Sequence, residues 1–293
     1  MNRILITGAT GNIGGHVLSA LLERGAPVRA LVRNPRAAGL PAGVEIAEGD
    51  LTAPETLDSC LAGIDTVFLV WVAPAEAAAP ALERIAKHAR RIVLLSAPLR
   101  TAHPLFQQPN PSRTRAELLE RLIEASGLEW TFLRPGMFAA NALGWWAPQI
   151  RAGDIVRWPY LDVPTAPIDS RDIAAVAARA LCEEGHSAAE YVLTGPQSLT
   201  QFEQIATIGS VIGRKLRIEE VPPDDWLGAL PSFFPAYVAK YLLDAWAAAR
   251  GQPAFVASTV AELTGAPART FREWASDHAA QFCAAGFQPA AAL

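Results

Sequence analysis

Three glycines, Gly8, Gly11 and Gly14, stand three positions apart directly after the apolar run Ile4-Leu5-Ile6. An amphipathic run over residues 16–24 follows them, so the pattern predicts a strand, a tight turn and a helix. Such a turn leaves backbone N–H groups free at a helix N-terminus, where the helix dipole also favours an anion. The spacing in this context predicts a dinucleotide pyrophosphate site, and the alternative is an ordinary glycine-rich turn.

Each glycine has a separate expected role in that turn. Gly8 makes the tight turn, Gly11 lets the backbone approach the pyrophosphate, and Gly14 lets the helix pack closely on the strand. The residues between the glycines are expected to contact the same ligand, and they are Thr10, Asn12 and Ile13.

Arg33 stands at the end of the second predicted strand, with Arg36 close by. An acidic residue at that position would bind the adenosine ribose hydroxyls and repel a 2′-phosphate. A guanidinium instead forms paired hydrogen bonds with phosphate oxygens. The sequence therefore favours NADP(H) over NAD(H), and the alternative for Arg33 is a solvated surface residue.

Strands and helices alternate along the first two thirds of the chain. Predicted strands cover residues 4–7, 28–33, 44–48, 65–72, 91–96, 130–134 and 190–194. This alternation predicts right-handed crossovers and a doubly wound parallel sheet of the Rossmann type, which makes the chain an α/β protein. Ligands bind such sheets beyond the carboxyl ends of the strands, so we expect cofactor contacts at Val70, Ser96 and Pro135.

Four predicted helices begin at Ser/Thr-x-x-Glu capping boxes, which start at Thr52, Thr114, Thr200 and Thr270. The helix after Thr114 is expected to turn Glu120 mostly outward. Residues 97–112 have no periodicity and predict a loop, which is either functional or a disordered connector.

That loop contains His103, the single weak candidate for a proton donor, although a solvated loop histidine is an alternative. Arg113 and Arg115 lie nearby and would bind a cofactor phosphate or a substrate carboxylate, or face water.

The pattern loosens after residue 140, where proline, tryptophan and short strands mix. We expect residues 1–140 to form the dinucleotide-binding domain, with 168–195 returning to it, and residues 141–293 to form mostly a smaller α+β substrate lobe. Four residues are expected at an apolar substrate pocket, and they are Phe138, Asn141, Trp145 and Trp158. The alternative for the tryptophans is packing within the lobe.

The composition excludes several classes of protein. The chain has 293 residues, of which 51% are hydrophobic, so we expect a folded protein. Its formal net charge is −4, so we do not expect it to bind nucleic acid. Its three cysteines are far apart and indicate no metal site. No apolar run is long enough to cross a bilayer, and the first strand begins too early for a signal peptide. We expect a cytoplasmic protein, a monomer or homodimer, that acts on a small molecule.

Several motifs resemble the NmrA-like atypical short-chain dehydrogenase/reductases. They are Gly-Ala-Thr-Gly-Asn-Ile-Gly at 8–14, Leu-Val-Arg-Asn-Pro at 31–35, Gly-Asp-Leu at 49–51, and Leu-Arg-Pro-Gly-Met-Phe at 133–138 followed by Asn141. The resemblance covers nearly the whole chain. It implies an NAD(P)-binding Rossmann fold and places Asp50 and Leu51 beside the adenine, although Asp50 is also positioned to cap a helix. Some members of this group reduce quinones, imines, enones or carbonyls, and others are redox-sensing regulators.

One expected feature of short-chain dehydrogenases is missing, the Tyr-x-x-x-Lys pair that donates the proton. The chain has no Tyr between Met1 and Val156 and no Lys between His88 and Lys215. Hydride transfer to a quinone-like acceptor needs little acid from the protein, because solvent supplies the proton. We therefore expect an NADP(H)-dependent oxidoreductase of an aromatic, quinone-, enone- or imine-like molecule. The alternatives are a non-catalytic NADP(H) sensor and a non-redox isomerase or cyclase.

Overall fold

The computed structural model describes residues 3–230 and 234–283. Its strands are β1 (Ile4–Thr7), β2 (Val28–Val32), β3 (Glu45–Glu48), β4 (Thr66–Leu69), β5 (Arg91–Leu95), β6 (Glu129–Pro135), β7 (Ile155–Trp158), β8 (Pro164–Thr165), β9 (Ala189–Leu193), β10 (Leu199–Thr200) and β11 (Arg217–Glu220). Seven of them form a parallel sheet in the order β3-β2-β1-β4-β5-β6-β9.

The helices cover both faces of this sheet. They are α1 (Asn12–Glu23), α2 (Leu57–Leu61), α3 (Ala78–His88), α4 (Pro104–Gln107), α5 (Pro111–Glu124), α6 (Asn141–Trp145), α7 (Ala147–Ala152), α8 (Ser170–Cys182), α9 (Gln201–Val211), α10 (Pro223–Ala229), α11 (Ala236–Ala249), α12 (Thr259–Thr264), α13 (Phe271–Asp277) and α14 (Ala279–Cys283). One apolar core joins α1 and α8 to one face of the sheet, and a second core joins α2, α3 and α5 to the other.

The strand order confirms the predicted Rossmann-type α/β fold. Strand order reverses at β1, which has β2 on one side and β4 on the other. A ligand crevice forms at such a reversal, outside the carboxyl ends of the strands. The strands β1, β2 and β4 are buried along their whole length, as expected for parallel strands covered on both faces.

The fourth strand is shorter than the prediction of residues 65–72. It ends at Leu69, and Val70 to Val72 leave the sheet, with Val72 67% exposed. The predicted strand was too long because an apolar run at the carboxyl end of a strand can face a ligand crevice as well as a core. Val70 and Val72 therefore belong to the rim of the crevice, whereas Trp71 is 5% exposed and packs in the core beneath α2 and α3.

A separate apolar core fills the C-terminal lobe, which is built on α6, α7, α9, α11 and α13. Its two small sheets pair β7 with β11 in parallel and β8 with β10 antiparallel. Five tryptophans, here called the tryptophan cluster, contact one another with ring centroids 5.1–5.9 Å apart: Trp145, Trp146, Trp158, Trp226 and Trp246. All but Trp145 are buried.

Two of the four predicted capping boxes are confirmed. Thr200 and Thr270 each bond the backbone N–H three residues on, and the glutamate at that position bonds back. The box at Thr52 is wrong, because its hydroxyl donates instead to Asp50 and the next helical turn begins at Pro54. The box at Thr114 is also wrong: α5 begins three residues earlier, at Pro111, and its cap is Asn110.

Residues 97–112 are not an irregular loop throughout, because they contain α4 and the start of α5. No helix in the described part of the chain has both the length and the apolar character needed to cross a membrane. Within residues 3–230 and 234–283, no three His, Cys, Asp or Glu side chains are placed to hold a metal ion.

Candidate cofactor and substrate site

The turn between β1 and α1 has the close backbone contacts that only glycine permits. Gly8 has φ +68°, a conformation that side chains rarely adopt. A Cβ on Gly14 would lie 2.1 Å from the carbonyl oxygen of Gly8, so the helix approaches the turn too closely for any other residue. Thr10, Gly11 and Asn12 are exposed at the N-terminus of α1, where a pyrophosphate would meet backbone N–H groups. The turn therefore fits a dinucleotide.

Thr7 connects this turn to the end of β4. Its hydroxyl oxygen accepts a hydrogen bond from the Val70 N–H at 2.7 Å and lies 3.0 Å from the Val70 carbonyl oxygen, to which it donates. A Cβ on Gly8 would lie 3.2 Å from the Val70 Cβ. Val70 therefore lies against the turn, as expected for a residue at the carboxyl edge of the sheet.

Asn12 links α1 to α8, a contact that the sequence gave no reason to expect. Its Nδ2 donates to the Ser170 hydroxyl oxygen at 3.0 Å. Asp169, the N-cap of α8, accepts from the Arg171 backbone N–H at 2.8 Å and pairs with its guanidinium at 2.6 Å. Burial opposes the charge of Asp169, but the bonds from Arg171 outweigh it and lower the pKa of Asp169.

Arg33 and Arg36 are both exposed beside the carboxyl end of β2. Among the residues that the structure describes, neither guanidinium forms a hydrogen bond or an ion pair. The Gly49 N–H donates to the Val32 carbonyl at 3.0 Å, which places Asp50 at the neighbouring strand end. Two unpaired cations at this edge are available to an anionic ligand.

Asp50 and Leu51 differ in their exposure. The Asp50 carboxylate accepts from the Thr52 backbone N–H at 2.8 Å and from its hydroxyl at 2.9 Å. These bonds, with a smaller contribution from the charge of Arg33, lower the pKa of Asp50 although partial burial opposes them. Leu51 is 5% exposed and packs in the core beneath α2 and α3. Asp50 thus caps a local turn, which is one of its two expected roles.

Ser96 follows β5, and Pro135 is the last residue of the adjacent β6, both on the other side of β1. The Ser96 backbone N–H donates to Leu133 at 2.7 Å, and Ser96 remains half-exposed. Pro135 is buried, and the next residue, Gly136, bonds the Leu193 carbonyl at 2.8 Å. The Phe106 ring on α4 lies 3.4 Å from the position of a Gly136 Cβ and covers this edge of the crevice.

A buried ion pair lies directly beneath Ser96, and the sequence reasoning missed it. Arg134 is 1% exposed and binds both carboxylate oxygens of Glu120, with Nε–Oε1 2.9 Å and Nη2–Oε2 2.6 Å. Glu120 was expected to face outward, but it is 3% exposed. The available signal was Arg134 itself, because a cation inside an apolar strand needs a buried partner.

His103 is 9% exposed rather than solvated, and it has a structural role. Its Nδ1 accepts from the Leu105 N–H at the start of α4, and its Nε2 lies 2.9 Å from the Pro253 carbonyl oxygen. Because a carbonyl only accepts, the proton is on Nε2. Both ring nitrogens are engaged, so His103 holds α4 against residue 253 and is not poised to donate a proton to a substrate.

The four expected pocket residues occupy different depths. Phe138 and Asn141 are half-exposed just after β6, where Asn141 Nδ2 lies 3.4 Å from the Met137 sulfur. Trp145 is half-exposed at the surface of the tryptophan cluster. Trp158 is 2% exposed, and its indole N–H donates to Gln201 at 2.5 Å, so it supports Trp145 from inside the core and does not line an open surface.

Arg113 is held in place by its own neighbours. Its guanidinium donates to the Phe106 carbonyl at 3.0 Å and pairs with Glu117 at 3.0 Å. Arg115 is exposed. The contact from Arg113 fixes the end of α4 above Gly136. Arg113 therefore positions α4, whereas the sequence led us to expect that it binds an anion or faces water.

Comparison with known proteins agrees with this geometry. A sequence model described as NAD(P)H-binding matches residues 8–184, which include the glycine-rich turn. The chain is 41% identical to a (4-alkanoyl-5-oxo-2,5-dihydrofuran-3-yl)methyl phosphate reductase of Streptomyces griseus, with 95% of this chain and 99% of that protein covered. It is 36% identical to an NAD(P)H azoreductase of Xenophilus azovorans, with 96% and 100% covered.

A solved structure with the same fold contains a cofactor. It is the NADPH complex of the NADPH-dependent quinone oxidoreductase of Escherichia coli. The TM-score is 0.79 at 25% identity, and the match covers 94% of this chain and 99% of that one.

Proposed function

The chain belongs to the NAD(P)H-binding family, and we propose that it is an NADPH-dependent reductase of a small conjugated acceptor. Relatives over nearly the full length are reductases of a furanone phosphate and of azo compounds, and a quinone oxidoreductase has the same fold. The observation that carries the proposal is the glycine-rich turn at the strand reversal, with the exposed and unpaired Arg33 at the adjacent strand end.

We infer NADP(H) rather than NAD(H) from the charges at that strand end. Arg33 and Arg36 offer guanidinium groups to a 2′-phosphate, and the neighbouring carboxylate of Asp50 is bound to Thr52. An Arg–phosphate contact is a charge-assisted hydrogen bond and is about twice as strong as a neutral one. NAD(H) lacks the phosphate and gains nothing from either arginine.

The protein's own contribution to the reaction is positioning. A bound NADPH would supply the hydride, while Pro135, Gly136 and Phe106 give the crevice a largely apolar wall against which an acceptor can pack. No Tyr-x-x-x-Lys pair is available in the first 156 residues, so we assign the proton to solvent. Quinones and enones accept hydride under these conditions because their conjugation spreads the negative charge, and an imine accepts it once solvent has protonated its nitrogen.

We assign the acceptor to the space between residues 135–141 and Trp145. Phe138 and Asn141 lie at one side and the exposed edge of the tryptophan cluster at the other, which suits a flat apolar molecule. Residues 141–293, without the 168–195 segment, would form most of this substrate lobe. A cytoplasmic location and a monomeric or homodimeric state remain predictions from the sequence.

Steady-state NADPH oxidation with a panel of quinones, enones, imines and azo compounds tests the proposal. We expect turnover with at least one of these classes and a lower kcat/KM with NADH than with NADPH. Tight NADPH binding without turnover of any class would contradict the assignment as a reductase. It would instead favour the alternative of a dinucleotide-sensing protein.

A further inference from the structure

Four polar side chains form a connected cluster under the carboxyl ends of β5 and β6, which we call the Arg134 cluster: Ser96, Glu120, Arg134 and Glu190. Arg134 binds Glu120 through two hydrogen bonds and Glu190 through a third at 2.5 Å. The Ser96 hydroxyl donates to Glu120 Oε1 at 2.6 Å. Ser96 is the one member that also lies at the rim of the crevice.

Burial of these charged groups costs desolvation free energy, which argues that the Arg134 cluster has a role beyond stability. Glu120 and Arg134 are 3% and 1% exposed, and a buried ion pair often stabilises a protein no better than apolar residues of the same size. Burial disfavours the charge of Arg134, yet the bonds to Glu120 and Glu190 outweigh that effect and raise the pKa of Arg134. Both Glu120 oxygens accept from the guanidinium, which is the geometry of an arginine–carboxylate pair, so Glu120 offers only acceptor oxygens.

This ionisation fixes the direction of the Ser96 hydroxyl. A carboxylate has no proton to donate, so the hydrogen between Ser96 and Glu120 belongs to Ser96. Glu120 Oε1 is itself held by Arg134 Nε at 2.9 Å, which prevents it from turning away. The Ser96 oxygen is consequently left with its lone pairs, and it can act toward the crevice only as an acceptor.

The order of strands places the nicotinamide end of a dinucleotide near Ser96. The 2′-phosphate is assigned to Arg33 after β2 and the pyrophosphate to the turn after β1, and β2 and β1 are neighbours. A dinucleotide extended in this direction continues past β4 to β5 and β6, where Ser96 and Pro135 lie. The nicotinamide carboxamide carries an NH₂ group, which is a donor.

We propose that Ser96 accepts a hydrogen bond from the carboxamide NH₂ of the nicotinamide, and that Glu120 and Arg134 are positioning residues that commit its hydroxyl to this role. This inference rests on the proposed function, because it requires a bound dinucleotide. The contact fixes the side on which the carboxamide lies, and with it the rotation of the ring about the glycosidic bond and the face that is presented to the acceptor.

Calorimetric binding of NADP⁺ and its 3-acetylpyridine analogue tests the contact without turnover. The analogue has a methyl group in place of the NH₂ and keeps the carbonyl. A neutral hydrogen bond corresponds to about a three- to tenfold change in affinity, so the protein should prefer NADP⁺ by about that factor. Ser96→Ala should abolish the preference, and Ser96→Thr, which keeps the hydroxyl, should restore it.

The double variant Glu120→Met/Arg134→Met tests the positioning residues. It replaces the ion pair with apolar side chains, leaves Glu190 paired with Arg100, and frees the Ser96 hydroxyl to donate as well as accept. We expect this variant to prefer NADP⁺ over the analogue by a smaller factor than the unaltered protein does. Thermal unfolding of the variant checks that it is folded. If this variant fails to fold, Ser96→Ala and Ser96→Thr still decide the contact.

The outcomes separate this inference from the proposed function. Equal affinity of the unaltered protein for both dinucleotides, or an unchanged preference in Ser96→Ala, would overturn the contact with Ser96. An unchanged preference in the folded double variant would overturn the role of Glu120 and Arg134. Failure of the unaltered protein to bind either dinucleotide would overturn the proposed function itself.

Discussion

We propose that single residues at the carboxyl edge of the sheet hold different parts of a dinucleotide. Gly8 and Gly14 shape the turn, Arg33 supplies charge, and Ser96 supplies an oriented oxygen. The positions of Gly8, Gly14 and Arg33 at this edge were predictable from the sequence, because a glycine spacing and a strand-end arginine are local signals. The role of Ser96 was not, because it depends on Glu120, a partner 24 positions along the chain.

Arg33→Ala should remove most of the preference for NADPH. A hydrogen bond to a charged group contributes about 1.5–3 kcal/mol, so we expect NADPH affinity to fall by about 10- to 100-fold while NADH affinity is unchanged. Fluorescence titrations with both cofactors measure this directly. Arg217→Ala is the matched control, because Arg217 is an exposed arginine on β11. An unaltered NADPH preference in Arg33→Ala would place the phosphate elsewhere.

Gly14→Ala should be among the most damaging single-methyl changes in the turn. The added Cβ would lie 2.1 Å from the Gly8 carbonyl oxygen, so the turn or the helix must move. Overpacking of this kind costs about 1–3 kcal/mol, which urea unfolding would measure, and NADPH binding should weaken as well. The neighbouring Gly15→Ala is the control, since the nearest atom to its Cβ is 3.5 Å away. Equal effects of the two substitutions would argue against the close approach.

At the scale of elements, the starts of helices were predicted unevenly. The capping boxes at Thr200 and Thr270 were confirmed because the box residues are the first turn of each helix. The boxes at Thr52 and Thr114 were wrong because Asp50 and Asn110, a few residues earlier, accept from the N–H groups of Thr52 and Arg113 and so cap each segment before the box begins. A box motif alone does not decide which of two nearby caps starts the helix.

The N-terminus of α8 should make stability depend on pH in the acid range. Because the pKa of Asp169 is lower in the folded protein than in the unfolded chain, its ionised form stabilises the fold. That contribution is complete above the unfolded value of about 3.9 and is lost as the pH falls below it. Asp169→Asn keeps a helix cap but should flatten this part of a urea-unfolding profile measured against pH.

Asp172 provides a contrast in the same helix. Burial raises its pKa, although Arg269 opposes that effect, so its contribution is greatest at low pH and is lost as the pH rises through the folded value. Asp172→Asn should therefore change the profile with the opposite sign, on the side of higher pH from the unfolded value. Identical profiles for the two variants would contradict this account of α8.

The whole molecule combines a predictable scaffold with a less predictable lobe. Parallel strands buried on both faces are visible in a sequence as apolar runs, so most strands up to β6 could be identified from the sequence, whereas α4 could not. The lobe did not, because its core depends on contacts between distant segments, such as Trp158 with Trp226 and Trp246. The same long-range packing buries Trp158 and leaves Trp145 as the accessible edge of the tryptophan cluster.

We propose that hydride passes from a bound NADPH to a conjugated acceptor without an acid from the protein. The most direct measurement is single-turnover oxidation of stereospecifically 4-deuterated NADPH by a quinone or enone. We predict that deuterium at one of the two C4 positions slows the oxidation. The same deuterium should be found in the reduced acceptor whenever it has been transferred to a carbon atom that does not exchange it with water. Two results would contradict this proposal. In the first, bound NADPH stays unoxidised with every class of acceptor. In the second, the rate of the chemical step does not change with deuterium at either C4 position.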